Sequence, residues 1–340
     1  TNYKKVRRNA LDHVNFPYRS DSHLALMHVI NESGGWERQN LDVDFDKIIN
    51  REDAHDLVPT GEVEFVSGNH VSTYARRAQG DTWAYLGQSV SFNNVQLITR
   101  EDAGINTMED VRGKKFGSRG RHPGLNTWLA LKQAGLNPDT DQVEIIKEDR
   151  VELPDGTKQL NRKSLLDMVN DGECDACFMG QPRLEFAKRM GLKVIEIPPQ
   201  PMVYFMTVST SKIMVETKPD IIDRMLRGVL EGIAYFKINR EETIKILMDK
   251  HKKEGDLDRD MAEKLYDDLA PTLEPRLFPN LNAISNVYQE ALKQDEKNGD
   301  AARIHPLALW DFHFIREIDN SGFIDNLYKD HKELLENHGG

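Results

Sequence analysis

The order of strand-like and helix-like runs constrains this chain most. Leu24 to Glu32 puts Leu24, Met27, His28 and Val29-Ile30 on one helical face, and Gly34-Gly35 stops it. Leu41 to Ile49 alternates as a strand should. Val63-Glu-Phe-Val66 is a short strand that leads through Ser67-Gly-Asn-His-Val-Ser into a helix containing Tyr74 and Ala78. Trp83 to Leu86 and Val95 to Thr99 are further strands. The middle third repeats this grammar. Thr107 is a candidate N-cap with Asp110 three residues on. A strand at Lys114 to Ser118 precedes a helix from Asn126 to Ala134, and a strand follows at Val143 to Ile146. The polar stretch Glu148 to Arg162 holds the turn Pro154-Asp-Gly156. Then come a helix at Ser164 to Asn170, a strand at Cys174 to Met179, a helix at Leu184 to Met190 and a strand at Leu192 to Ile197.

The last third breaks the pattern. After a strand at Val203 to Ser209, residues 218 to 293 read as helix, with breaks near Gly255 and Pro271 to Pro279. Two β/α halves, a return strand and a helical tail do not describe one open doubly wound sheet. They predict an α/β protein of two lobes, with crossovers near Arg100 to Gly104 and Tyr204 to Ser209. Lobe one takes residues 1–101 and 206–340, lobe two residues 102–205. A length of 340 residues suits two such lobes.

A net charge of −11 argues against nucleic acid or an anionic membrane as the main partner, while leaving an anionic small ligand open, because local fields in a cleft can oppose the total. No apolar stretch approaches the roughly 18 residues of a membrane span. The chain runs from Thr1-Asn2-Tyr3 straight into structure-like sequence, without a signal-peptide pattern. It is therefore expected to be periplasmic or otherwise extracytoplasmic if a signal has been removed, and cytoplasmic if not. The only cysteines, Cys174 and Cys177, are spaced C-x-x-C. They read as part of a buried strand, on opposite faces, rather than as a redox or zinc pair.

Several phrases in this order are familiar. Leu24-Ala-Leu-Met-His-Val-Ile-Asn-Glu-Ser-Gly-Gly-Trp-Glu-Arg-Gln-Asn-Leu-Asp-Val-Asp44 resembles the opening of nitrate/sulfonate/taurine-type (NMT1/THI5-like) solute-binding proteins, members of the periplasmic-binding-protein type 2 superfamily. The step Gly61-Glu-Val-Glu-Phe-Val66 and its counterpart Asp171-Gly-Glu-Cys-Asp-Ala176 are similar to theirs. Arg100-Glu-Asp-Ala-Gly-Ile-Asn-Thr-Met-Glu-Asp-Val-Arg-Gly-Lys-Lys-Phe-Gly117 resembles their crossover into lobe two. The resemblance spans residues 20 to 240 and implies the substrate-binding component of an ABC-type transporter, partnered by its permease. The stretch Arg150 to Ser164 also resembles the 4,5-dihydroxyphthalate decarboxylase group built on the same scaffold. The early-loop cysteine of the scaffold's desulfinase and the cysteine-rich motif of its pyrimidine synthases have no counterpart here. Fold resemblance alone does not separate binding from catalysis.

In such an architecture ligands sit at helix N-termini between the lobes, where unpaired N–H groups suit an anion. Four loops qualify. The first, Tyr18 to His23, offers Arg19 and His23, with Asp21 or Ser22 as helix caps. The second offers Asn69 and His70. The third, Gly117-Ser-Arg-Gly-Arg-His-Pro-Gly124, offers Ser118, Arg119, Gly120, Arg121 and His122, with glycines that let a ligand approach the backbone. The fourth offers Gln181. Gln88 and Tyr204 lie near the crossovers. Should the chain be an enzyme, a decarboxylase or lyase acting on a small carboxylic acid, then His23, His70 and His122 are its candidate acids and bases. His305, Trp310 and His313 read as packing in the tail. No metal-ligand spacing, phosphate loop, dinucleotide fingerprint or nucleophile elbow occurs, so no cofactor is expected.

Overall fold

A computed structural model describes residues 11–118, 125–138, 140–147, 150–152, 158–160, 163–203, 205–252 and 255–336. The first lobe is built on a sheet whose pieces are joined through Tyr18. Strand Asp12–Asn15 runs parallel to Leu41–Asp44, and the chain stays extended to Tyr18, which bridges both Ile48 and Ser67. Val66–Ser67 then pairs with the late strand Thr207–Ser211, which pairs on its other side with Trp83–Gln88, both antiparallel. Phe16, Tyr18 and Phe65 are almost fully buried in one apolar cluster against this sheet, and Trp83 in another.

The second lobe has a five-stranded sheet in the order Lys193–Ile195, Gln96–Thr99, Ala176–Met179, Lys115–Ser118, Glu144–Lys147. The last three are parallel, and Gln96–Thr99 runs antiparallel to both its neighbours. This corrects the expected boundary. The strand Gln96–Thr99, assigned from sequence to lobe one, pairs wholly within the second sheet. The chain crosses before it, where Phe92–Asn93 pairs with Gln200–Pro201 in a two-stranded ribbon. The acidic Glu101-Asp102-Ala103 turn beyond it punctuates the second lobe and is not the crossover.

Two local readings also change. Thr107 opens no α-helix. Asp110 accepts the amides of Asn106 and Thr107 at 2.8 and 2.9 Å and closes a single 3-10 turn over Glu109–Val111. Cys174 precedes the strand Ala176–Met179, and both cysteines are free and buried in the same apolar cluster. A Cβ on Gly117 would lie 2.9 Å from the Cys174 sulfur and 3.4 Å from Cys177 Cβ, so the two do not face opposite ways. Burial pushes the Cys174 thiol up to about 12, which suits a structural thiol rather than a reactive one.

The tail does more than extend lobe one. Helix Pro219–Ile238 packs on Leu24–Glu32 at van der Waals limits. A Cβ on Gly232 would meet Ile30 Cγ1 at 2.3 Å and Ile30 Cα at 2.8 Å. Helix Arg259–Leu269 reaches the second lobe, where Lys264 pairs with the buried Glu185 at 2.8 Å and Asp258 with Arg189 at 2.8 Å. Helix Leu281–Gln294 reaches it again. There Trp128 lies between Lys132 and Lys293, 4.9 and 4.7 Å from its ring centre. Glu185 is held ionised. Burial pushes its carboxyl up, but hydrogen bonds from Lys188, Lys264 and Gln181 outweigh that and bring it to about 2.

Gly232→Ala should destabilise the protein. Alanine gains about 1 kcal/mol of helix propensity, but overpacking against a neighbouring backbone costs about 1–3 kcal/mol, and no rotamer relieves a Cβ clash. Scanning calorimetry should show a lower melting midpoint; an unchanged one would contradict the helix contact.

Candidate functional site

Between the two sheets lies a cleft of about 440 Å³, within the range of small-molecule sites. Arg19, Ser20, Ser22 and His23 line it from the first loop, and Asn69, His70 and Ser72 from the second. The other lobe contributes Gly117, Ser118, Thr127, Phe178, Gln181 and Arg183, and the tail contributes Gln294. Arg51 completes the first-lobe wall.

Of the residues expected from sequence, Arg19, His23, Asn69, His70, Ser118 and Gln181 come together in this cleft. Arg119, Gly120, Arg121, His122 and Tyr204 lie outside the described residues. Gln88 is fully buried beneath the cleft rather than lining it. Arg51, Ser72, Thr127 and Arg183 were not anticipated. Arg183 had a legible signal, as it opens the helix directly after Gln181-Pro182. Arg51 had none, because only the long-range pairing of Tyr18 with Ile48 brings its helix to the cleft.

Each wall has a local cause. Gly68 has φ near +119°, and a Cβ there would lie 2.8 Å from Arg19 Cγ. Glycine at this turn therefore lets the Arg19 stem lie against the backbone. Arg19 Nη1 donates to the Ile49 carbonyl, which fixes its guanidinium. Asn69 adopts the left-handed conformation, with φ of 61°, as asparagine tolerates. Its carbonyl accepts from Thr73 Oγ1 at 3.1 Å and Tyr85 OH at 2.6 Å. Its buried Nδ2 has no hydrogen-bond partner, which makes it a donor available to a ligand.

Beneath His70 runs a directed chain. Gln88 Nε2 donates to the carbonyls of Val90 at 2.7 Å and Phe205 at 3.2 Å. Carbonyls only accept, so Gln88 Oε1 must face Thr207, and Thr207 Oγ1 donates to it at 2.5 Å. Thr207 Oγ1 must then accept from His70 Nδ1 at 2.8 Å. The ring is held as the Nδ1-protonated form, and its orientation is tied to the chain segments that lead into and out of the hinge ribbon.

His23 behaves differently. Its Nδ1 is 2.6 Å from Ser67 Oγ and its ring stacks on Phe205. Burial, then the charges of His70 and Arg19, push its pKa down to about 3 against a hydrogen bond with Ser67 that raises it. A desolvated imidazole beside an arginine stays neutral near neutral pH, so His23 is held there in its unprotonated form. Among the described residues no group of three His, Cys, Asp or Glu is placed to hold a metal ion, and no helix is long and apolar enough to cross a membrane.

A two-lobed α/β architecture with a hinge ribbon and an interlobe cleft is the periplasmic-binding-protein fold, and solved structures agree. A putative periplasmic sulfonate-binding protein, SsuA, from Methylobacillus flagellatus KT superposes with a TM-score of 0.64 at 15% identity, covering 96% of each chain. The periplasmic aliphatic sulphonate-binding protein SsuA from Escherichia coli gives 0.62 at 17%, covering 84% of this chain and 87% of that one. The alkanesulfonate-binding protein SsuA from Xanthomonas axonopodis pv. citri, bound to MOPS, gives 0.61 at 10%, covering 89% and 99%. Among curated proteins no sequence matches. The NMT1/THI5-like family pattern matches residues 23–243, about two thirds of the chain, and the chain belongs to that family.

The His23 environment has a measurable consequence. The unfolded chain protonates this ring near 6.5, while the folded protein does so only near 3. The associated stability is present above pH 6.5 and lost as pH falls between those values. His23→Asn should therefore flatten the fall of melting midpoint between pH 6.5 and 4. An identical slope in the variant would show that His23 is not held neutral.

Proposed function

We propose that this protein is the substrate-binding component of an ABC-type importer and closes its two lobes around a small organic anion. One observation carries the reading. The described lining of the cleft includes three arginines, Arg19, Arg51 and Arg183, and no aspartate or glutamate, in a chain whose net charge is −11. Acidic residues outnumber basic ones by 56 to 45 overall, so an all-cationic set of charges inside one cleft is a local selection. Guanidinium groups fork onto carboxylate, sulfonate or phosphate oxygens, and their bonds strengthen where water is excluded. The Asn69 amide and the hydroxyls of Ser20, Ser22, Ser72 and Thr127 supply neutral donors around them. The named ligands of the structural neighbours, sulfonates, belong to the same chemical class and support the reading. On this reading the protein works outside the cytoplasm and delivers its solute to a permease.

A thermal-shift panel tests it. Short alkanesulfonates and carboxylates should raise the melting midpoint, by mass action on the folded form. Quaternary ammonium ions of similar size should not. Calorimetry on a binding anion should then show at least a tenfold loss of affinity in Arg183→Gln and in Arg51→Gln. Equal response to cations and anions, or unchanged affinity in both variants, would overturn the assignment.

A further inference from the structure

His70 stands where a buried hydrogen-bond chain meets the cleft. It lines the cleft, while Thr207, the partner of its Nδ1, is fully buried in the return strand and does not. The opposite edge of the ring, which carries Nε2, is therefore the edge turned toward a bound solute. We infer that this protein binds its anion together with a proton, which His70 Nε2 takes from water and donates to the anion as a hydrogen bond. The inference rests on the anion-binding reading of the cleft and adds to it a linkage between solute and proton.

Each bond of the chain beneath His70 runs one way. Gln88 gives its amide hydrogens to the carbonyls of Val90 and Phe205, so its Oε1 accepts the single hydroxyl hydrogen of Thr207. The Thr207 oxygen then accepts from the ring at 2.8 Å, and the ring hydrogen sits on Nδ1. Moving that hydrogen to Nε2 would set lone pair against lone pair in a buried place, at a cost of about 1–3 kcal/mol. A neutral imidazole has one hydrogen and one lone pair. With its hydrogen committed to Thr207, neutral His70 offers Nε2 as an acceptor only. An ionised sulfonate or carboxylate is an acceptor only as well. The two oppose each other unless Nε2 gains a hydrogen, and protonation supplies it without disturbing the bond to Thr207.

The surroundings set the sign of the effect. Among the described residues, the charged or titratable groups that share the cleft with His70 are Arg19 and His23 from the first loop, Arg51 from the helix Arg51–Leu57, and Arg183 from the second lobe. Asn69, Gln88 and Thr207 carry no charge, and burial keeps the Tyr85 hydroxyl under Asn69 un-ionised. Three guanidinium groups disfavour a fourth positive charge before the solute arrives. His23 offers the proton no other place, since burial and the charges of His70 and Arg19 hold it neutral down to about 3. A bound anion reverses the balance at His70. It offsets part of the arginine charge and accepts a charge-assisted hydrogen bond from Nε2. The ring is thus easier to protonate after binding than before it, and binding draws in a proton between those two conditions. The contribution of His70 to affinity is complete at low pH and is lost as pH rises through the titration of the complex.

The test is calorimetry on the full chain with ethanesulfonate, propionate and the anion that most raises the melting midpoint in the thermal-shift panel. Short sulfonates and carboxylates stay ionised from about pH 6.5 to about pH 8.5, a range over which an ordinary imidazole loses its proton. Titrations in buffers of different ionisation enthalpy count the protons taken up. An anion that binds should bring in, at the maximum, between about a third of a proton and one proton, and its affinity should fall about fivefold or more across the range. His70→Asn should bind the same anion with no measurable proton uptake and a flat pH profile, at about the wild-type affinity of the alkaline end. Thr207→Val frees the neutral ring to carry its hydrogen on Nε2, so uptake should fall to about half or less. Thr207→Ser keeps the hydroxyl and should keep the uptake. This pair decides the matter if His70→Asn does not fold. Anion binding without proton uptake and with a flat pH profile overturns the inference and leaves the anion site standing. Uptake that persists in His70→Asn places the proton elsewhere and also overturns it, as does undiminished uptake in Thr207→Val. If no anion binds, the anion-binding reading itself has failed, and this inference goes with it.

Discussion

The return strand Thr207–Ser211 bonds along both its edges, to Val66–Ser67 and to Trp83–Gln88. Without it the first sheet would split into two pieces with unpaired edges. Because this strand arrives only after the whole second lobe has been made, the first lobe must be assembled from distant parts of the chain. The two passages between lobes are thereby forced side by side, as Phe92–Asn93 against Gln200–Pro201. That ribbon places the hinge, and the hinge places the cleft. The same strand carries Thr207, whose hydroxyl links Gln88 to His70. Sheet closure and the orientation of one cleft residue thus depend on a single insertion.

The tail ties this arrangement together across the cleft. Lys264 and Asp258 hold one side of the second lobe through Glu185 and Arg189, and Trp128 sits between lysines on the other. Exposed ion pairs contribute little singly, but Glu185 is buried and takes three donors, so it costs more to break than a surface pair. These contacts span both lobes and would have to rearrange in any wide opening. Charge is segregated on a finer scale. Arginines line the large cleft, while the amides of Asn93 and Asn94 and the part-buried Asp268 carboxylate line a smaller space that shares Ser22, Gly180 and Gln181 with it. Net charge describes neither.

Much of the chain was legible residue by residue. Helix Leu24–Glu32 follows from its apolar spacing and its glycine stop, and the helix Leu165–Asn170 begins at a Ser164–Asp167 capping box. Both signals are local, fixed by bonds within one turn. Arg19, His23, Asn69, His70 and Gln181 could be nominated because a loop after a strand and before a helix has one usual place in such folds. The misreadings share another cause. Gln96–Thr99 looks like any apolar strand, and nothing within it says which sheet it joins. Asp110 in Asn106-Thr-Met-Glu-Asp reads as a capping residue, and only the final backbone path turned it into the acceptor of a single turn.

The sequence by itself determined the two β/α halves, the return strand, the helical tail and several loops that line the cleft, because periodicity, turn residues and caps act over a few residues at a time. Tertiary structure alone decided three things. It drew the lobe boundary at Asn93 rather than near Arg100, it brought Arg51 and Arg183 to one cleft, and it set His23 neutral against Phe205. The physical reason is common to all three. Strand partnership, desolvation and charge proximity are properties of neighbours in space, and these neighbours stand from tens of residues to nearly two hundred residues apart in the chain.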